Sequence, residues 1–376
     1  MRRADDLPSR RTFLGATALA AGLAAACEPR AAQPGAGAAA VPATGTHQAG
    51  VTLPREAQRN LLAVVADVAD GTAVGPLLAE LGEAIRALTA GTDARLLGLR
   101  PDDLTVTVGV GPRLVSAVDP ALPGATDLPP FRHERIDPRA RGGDLLLQVC
   151  AGDPVALSVV AAALLGRAGD RVRERWRQSG RRGATVPVDR GLTAPRNVFG
   201  FVDGVVGPHA EEQQRRDLWL AGPAPVAGGA VAVLRRMELD LARFAALPRA
   251  DQEAVFGRRR DDGAPLSGGD IATDPDLGAK TPDGRYLIPA GAHLRRAHST
   301  AAGVGLMLRR SYSFDDPAPG LLFIAFQNDL ATFTKTLTRM ENGDALLPFT
   351  TTTASATFLV LPGFDERRPL GATLFH

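Results

Sequence analysis

The order of apolar runs constrains this chain most, because it occurs twice. In the first series, residues 60–68 (NLLAVVADV) read as a strand and residues 73–91 carry apolar side chains at helical spacing. Residues 104–112 and 144–152 read as strands, and residues 154–169 as a second helix. In the second series, residues 228–240 read as a strand and an irregular segment follows. Residues 304–314 and 320–329 then read as a hairpin, 330–341 as a helix and 356–363 as a last strand. Both series run roughly β-α-β-β-α-β, the split βαβ pattern. Two such units side by side predict an α+β protein with antiparallel sheets. Residues 180–227 and 241–303 show little regular pattern, and long irregular segments inside compact domains usually carry function.

With 376 residues, 45% of them hydrophobic, the chain can bury a large core. Its formal net charge is only +2. Residues 1–26 hold four arginines (Arg2, Arg3, Arg10, Arg11) against Asp5 and Asp6, so the remainder sums to about zero. That argues against a nucleic-acid partner, which requires a clustered basic surface.

The N-terminus reads as a targeting segment. Ser9 to Gly15 (SRRTFLG) places paired arginines before Phe13 and Leu14, and an uncharged Ala/Leu/Gly run follows to Ala26. This is the layout of a twin-arginine export signal over residues 1–27, which predicts passage through the twin-arginine translocase and a periplasmic or secreted protein. The apolar run is too short for a bilayer span. Because that route carries folded proteins, it points to a cofactor loaded before export. Cys27 ends the run in a poor lipid-attachment context, since Leu23 stands one place too far away. Residues 28–46, rich in Ala, Gly and Pro, predict a disordered linker. The folded part is expected from His47, divided into an N-terminal domain over 47–220 and a C-terminal one over 221–376.

Cys150 lies in an apolar run and reads as core. If Cys27 leaves with the signal, no disulfide forms within one chain, and neither a Cys-x-x-Cys-His haem-attachment site nor a zinc-type cysteine cluster exists.

Three segments hold the candidate chemistry. Residues 196–208 (RNVFGFVDGVVGP) are apolar and glycine-rich apart from Arg196 and one carboxylate, Asp203. Asp203-Gly204 is a strong turn dipeptide, yet a lone acid in apolar surroundings demands a partner. Residues 288–300 hold His293 and His298, five apart, which does not put both on one helix face. One imidazole acting alone suits a five-coordinate haem iron. In residues 307–314 (MLRRSYSF), strand alternation forbids Arg309 and Arg310 from pointing the same way.

Taken in order, HQAG, GDLLLQVCAGDP, RNVFGFVDG, AHLRRAH, MLRRSYSF, GLLFIAFQND and ATFLVLPG resemble the dye-decolourising peroxidase family, within it the exported branch that includes deferrochelatase/peroxidase proteins. The resemblance runs from about His47 to Gly363. GFVDG (200–204) matches the family's Gly-x-x-Asp-Gly motif. The resemblance implies two ferredoxin-like domains with non-covalent haem b held mainly by the C-terminal one. It implies His293 as the axial iron ligand, Asp203 and Arg309 as the catalytic pair above the iron, and contacts to the porphyrin from Gly200, Phe201 and Gly204. The implied reaction reduces hydrogen peroxide and oxidises dye-like or phenolic donors. The alternative is a haem-binding protein that releases iron from haem during iron uptake. A cofactor-free assembly domain leaves these motifs without a purpose. The family often forms dimers or larger assemblies.

Three departures stand out. Ser299 and Thr300 replace a Pro-Arg pair, DGVVGP replaces the commoner Asp-Gly-Thr, and Pro348 stands where relatives carry an acid that bonds the proximal histidine. The last implies a less imidazolate-like His293 and a higher iron potential. Trp176, Trp219, Tyr286 and Tyr312 are the only Trp and Tyr available to relay electrons to bulky donors, with Tyr312 first among them.

Overall fold

The computed structural model describes residues 40–100, 103–187 and 193–375. The twin-arginine segment and linker residues 28–39 lie outside them.

The first series folds as β1 (Asn60–Val68), α1 (Val74–Thr89), β2 (Thr105–Val110), a short α2 (Pro112–Val118), β3 (Leu145–Ala151), α3 (Pro154–Ala168) and β4 (Val172–Arg181). Two small strands, β5 (Thr185–Pro187) and β6 (Thr193–Pro195), and α4 (Glu211–Asp217) follow. Then come β7 (Ala230–Leu239), α5 (Leu241–Ala245), α6 (Arg249–Phe256), α7 (His293–Arg296) and α8 (Ser299–Ala302). The chain ends with β8 (Leu308–Arg309), β9 (Tyr312–Phe314), β10 (Gly320–Gln327), α9 (Leu330–Glu341) and β11 (Thr350–Val360).

Nine strands form one antiparallel sheet in the order β7-β11-β2-β3-β1-β4-β9-β10-β8, and β7 also pairs with β10. The sheet therefore closes on itself. Its closures are short: β11 meets β2 through two residue pairs and β4 meets β9 through one. The α+β expectation holds.

Alternation along the strands sorts the core into layers. In β1, Leu61, Ala63 and Val65 point into a core enclosed by the sheet, with Leu234, Ile324, Phe326 and Phe358. Leu62, Val64 and Ala66 point outward onto a second core capped by α1 and α3. Both faces are buried, which is why β1 reads as one unbroken apolar run. Across the ring, β7 and β10 turn Leu234, Leu322 and Ile324 inward. Their outer faces carry Arg235, Met237, Leu239, Leu321 and Phe323, and these line a cavity rather than meeting a packed helix pair.

β11 serves both faces through a bulge. Its register against β7 shifts between Thr352 and Ala354. Thr350 and Thr352 face the cavity, while Ala354, Ala356 and Phe358 enter the enclosed core. One extra residue reverses which face the alternation serves.

Three features depart from the sequence expectation. β4 is a ten-residue strand that the apolar pattern does not mark, because its sequence, VRERWRQSGR, places arginines along an exposed face. β11 begins at Thr350, well before residue 356. The described end of the supposed linker packs on the body: Val41 is buried, Gly45 N–H donates to Phe364 O at 3.3 Å and Gly363 N–H to Thr46 O at 3.0 Å.

Candidate active site

Asp203 is placed by a tight hairpin. Arg196 and Val202 form an isolated bridge, and Asn197 Oδ1 accepts from Phe199 N–H and Phe201 N–H at 3.0 and 3.2 Å. Gly200 takes φ +84°, a conformation most side chains resist. Phe201 anchors the hairpin by stacking on Phe256, ring centroids 3.9 Å apart. Asp203 N–H donates to Pro195 O at 2.9 Å, and its Oδ1 accepts from Gly204 N–H at 2.7 Å. The Asp-Gly turn and the cavity-facing acid are thus the same feature.

Asp203 and Gly204 line the cavity; Gly200 and Phe201 do not. Phe201 packs its ring into the aromatic cluster of Phe199, Phe244, Phe256 and Phe349, and Gly200 O accepts from Arg196 Nη1 at 2.8 Å.

Arg309 comes from β8, opposite Ala325 of β10. Its Nη2 lies 3.8 Å from Asp203 Oδ1, with each side chain a little over a quarter exposed. Arg310 points the other way, as alternation requires, and gives Nη1 to Val51 O and Pro54 O, each at 2.9 Å.

His293 opens α7 and also lines the cavity. Its Nδ1–H donates to Asp344 Oδ2 at 2.8 Å, the carboxylate being an acceptor only. A third of the His293 side chain (33%) is open, whereas that of Asp344 is fully covered. Burial works against a charged imidazole, but the Asp344 carboxylate, by charge and by hydrogen bond, outweighs it and holds the ring above the usual histidine range. An anion that favours a second proton on Nε2 equally favours a metal cation there.

Asp344 is itself fixed. Its Oδ1 accepts from Leu346 N–H at 2.8 Å, its N–H donates to Met340 O at 2.8 Å, and Ala345 N–H donates to Gly291 O at 2.8 Å. Arg339 of α9 gives Nη1 to the carbonyls of Arg295 and Arg296. The expectation that Pro348 leaves His293 without an acid is overturned: the acid stands four residues earlier, in the turn after α9. The only sequence signal was an aspartate beside the apolar run ALLPF, the same signal that marked Asp203.

Ser299 and His298 line the cavity too; Thr300 does not. His298 Nδ1 is buried without a partner, and burial lowers the ring's pKa below the usual histidine value. Of the four candidate relay residues, Trp176, Trp219 and Tyr312 are buried and only Tyr286 is exposed. Tyr312 is therefore no surface relay; its hydroxyl lies 3.7 Å from Cys150 Sγ inside the enclosed core.

The cavity holds about 1860 Å³ of space, counting the part open to solvent. Phe199, Phe256, Leu294, Leu306, Leu321 and Phe323 give it apolar walls. A smaller pocket of about 320 Å³ adjoins it, sharing Asn197, Asp203, Gly204, Arg309 and Leu321 and adding Arg181, Arg182 and Arg196. Among the described residues no group of three or more His, Cys, Asp or Glu could hold a bare metal ion. One anchored imidazole in a large apolar cavity fits iron that arrives inside a macrocycle.

A closed α+β sheet carrying an apolar cavity, one carboxylate-bound imidazole and an Asp–Arg pair defines a haem peroxidase. The family models agree: Dyp-type peroxidase, N-terminal, matches residues 48–182, and Dyp-type peroxidase, C-terminal, matches residues 194–365. The chain belongs to the Dyp-type peroxidase family. It is 38% identical to a dye-decolorizing peroxidase of Thermobifida fusca, over 74% of this chain and 69% of that one. It is 30% identical to a deferrochelatase of Yersinia pestis bv. Antiqua, over 86% of this chain and 82% of that one. A DyP-type peroxidase from Cellulomonas bogoriensis superposes with a TM-score of 0.83 at 33% identity, covering 90% of this chain and 99% of that one. The C-terminal match starts at residue 194, upstream of the expected 220/221 division, so Asp203 falls in the same matched region as His293 and Arg309.

Proposed function

We infer that this chain is an exported haem peroxidase in which His293 holds the iron while Asp203 and Arg309 act on peroxide. The observation that carries the reading is the anchored His293–Asp344 pair in the cavity that Asp203 and Arg309 also line. Haem b, when bound, supplies the redox-active iron at which peroxide is reduced and organic donors are oxidised. His293 presents Nε2 to it, because Nδ1 is committed to Asp344. Asp203 Oδ1 is occupied by Gly204 N–H, which leaves Oδ2 to take a proton from one peroxide oxygen and return it to the other as that oxygen departs as water. Arg309 supplies fixed positive charge where negative charge develops. The smaller arginine-lined pocket reaches the same pair.

Two finer readings belong with this one. Strand orders β4-β1-β3-β2 and β11-β7-β10-β8 support two ferredoxin-like units fused into one ring, the second supplying the cavity. The paired arginines at Arg10 and Arg11 support export by the twin-arginine translocase.

Iron release from haem would need His293 and the cavity but leaves Asp203 and Arg309 without a task, so the pair favours peroxide chemistry. The test is a haem absorption spectrum before and after stoichiometric hydrogen peroxide. A band shift within seconds is expected. Asp203→Asn and Arg309→Leu should retain haem while turnover falls by about 10²–10⁴. A haem spectrum indifferent to peroxide would overturn the reading.

A further inference from the structure

The large cavity and the smaller pocket meet at five residues: Asn197, Asp203, Gly204, Arg309 and Leu321. Three of them carry polar side chains, and the peroxidase reading gives work to Asp203 and Arg309 only. Asn197 is the third.

Its amide has one orientation. Oδ1 accepts from Phe199 N–H and Phe201 N–H at 3.0 and 3.2 Å, so the oxygen is committed to the hairpin and the other terminus is the NH2 group. The backbone is fixed as well. Asn197 N–H donates to Phe201 O at 2.9 Å, and its carbonyl accepts from Gly200 N–H at 2.8 Å. Nδ2 bonds to none of the described residues and is not sealed in protein, so it faces the open space that the residue lines.

The groups beside it leave a complementary gap. Arg309 Nη2 and Asp203 Oδ1 stand 3.8 Å apart, beyond hydrogen-bond reach. Asp203 Oδ1 already accepts from Gly204 N–H, which leaves Oδ2 free. A molecule that satisfies all three side chains must donate to a carboxylate and accept from both a guanidinium and an amide. Hydrogen peroxide can do so, since each of its oxygens carries one O–H and two lone pairs.

We propose that Asn197 is a further peroxide-contacting residue, its Nδ2–H donating to one peroxide oxygen while Asp203 moves the proton. The proposal rests on the peroxidase reading. Asn197 neither gains nor loses a proton. It fixes the oxygen at which the proton is delivered.

The experiment uses the haem-loaded full-length chain and two variants. Asn197→Ser removes the NH2 group but keeps an oxygen that can accept from the hairpin amides. Asn197→Ala removes both. Fluoride, followed by the absorption of ferric haem, serves as an unreactive acceptor in place of peroxide. Both variants should bind fluoride about three- to tenfold more weakly than the wild type, the loss of one neutral hydrogen bond. Their reaction with peroxide in stopped flow should slow by a similar factor. Asn197→Ser should keep the wild-type melting temperature, and Asn197→Ala should melt lower. An Asn197→Ser chain that matches the wild type in fluoride affinity and peroxide rate would overturn the proposal and leave the amide as a clasp of the hairpin. So would an Asn197→Ser chain that melts as low as Asn197→Ala. A wild-type chain that binds hemin and ignores peroxide would instead end the peroxidase reading, whatever the fluoride comparison shows.

Discussion

Asp344 makes a hydrogen bond with each oxygen, one to the Leu346 amide and one to His293. It cannot turn toward one without straining the other, so the backbone turn after α9 sets the orientation of the imidazole. Replacing Asp344 by Asn keeps the shape and removes the charge. The iron potential of the loaded chain should rise, read by spectroelectrochemistry, and turnover should fall about ten- to a hundredfold. An unchanged potential would mean that the carboxylate acts only as a mechanical prop. At this scale the segments around Asp203, His293 and Arg309 stand out as short and chemically odd, and the family resemblance is what chooses those three residues within them. The sequence did not announce Asp344, whose contact with His293 spans fifty-one residues of chain.

The elements most legible in the sequence are those with one kind of environment. β1 is apolar on both faces, and α9 begins and ends where its periodicity says. The bulged β11 is harder, since Thr350 to Thr353 face two surroundings in succession and carry no apolar alternation. β4 is hidden for a related reason, its outer face being solvent. The loop from Leu128 to Arg141 is the least legible, and it matters for the site. It crosses β11 through parallel bridges at Glu134–Thr352 and Arg141–Ser355, and brings Glu134 against Arg235. Both side chains of that ion pair are about 95% covered. Glu134→Gln would strand Arg235 without its anion and should destabilise the chain by about 3–5 kcal/mol, read by denaturant unfolding. A loss below about 1 kcal/mol would show that Thr352, Ser355 and the Phe131 and Phe333 rings suffice to hold the guanidinium.

On the scale of the molecule, the ring of strands encloses the one cysteine among the described residues. Burial raises the Cys150 thiol to about 11, against an unfolded value near 9. The fold therefore favours the protonated thiol. Its contribution to stability is complete below about pH 9 and is lost as the pH rises toward 11, roughly 2–3 kcal/mol in all. Cys150 should accordingly resist iodoacetamide at pH 8 in the native chain and react once denaturant is added, as peptide mass mapping would show. Rapid native labelling would mean that the ring opens locally. The two sides of that ring are unequally filled. Where α1 and α3 cover the first half with packed side chains, the second half leaves a hollow behind β7 and β10. Stripped of its cofactor, such a chain should not loosen evenly. Amide exchange should quicken in β8, α7 and the loops around Asp203 while β1 and β3 keep their protection. Added haem should restore the difference by mass action. The cofactor would then be a structural member of one half of the molecule and a passenger to the other.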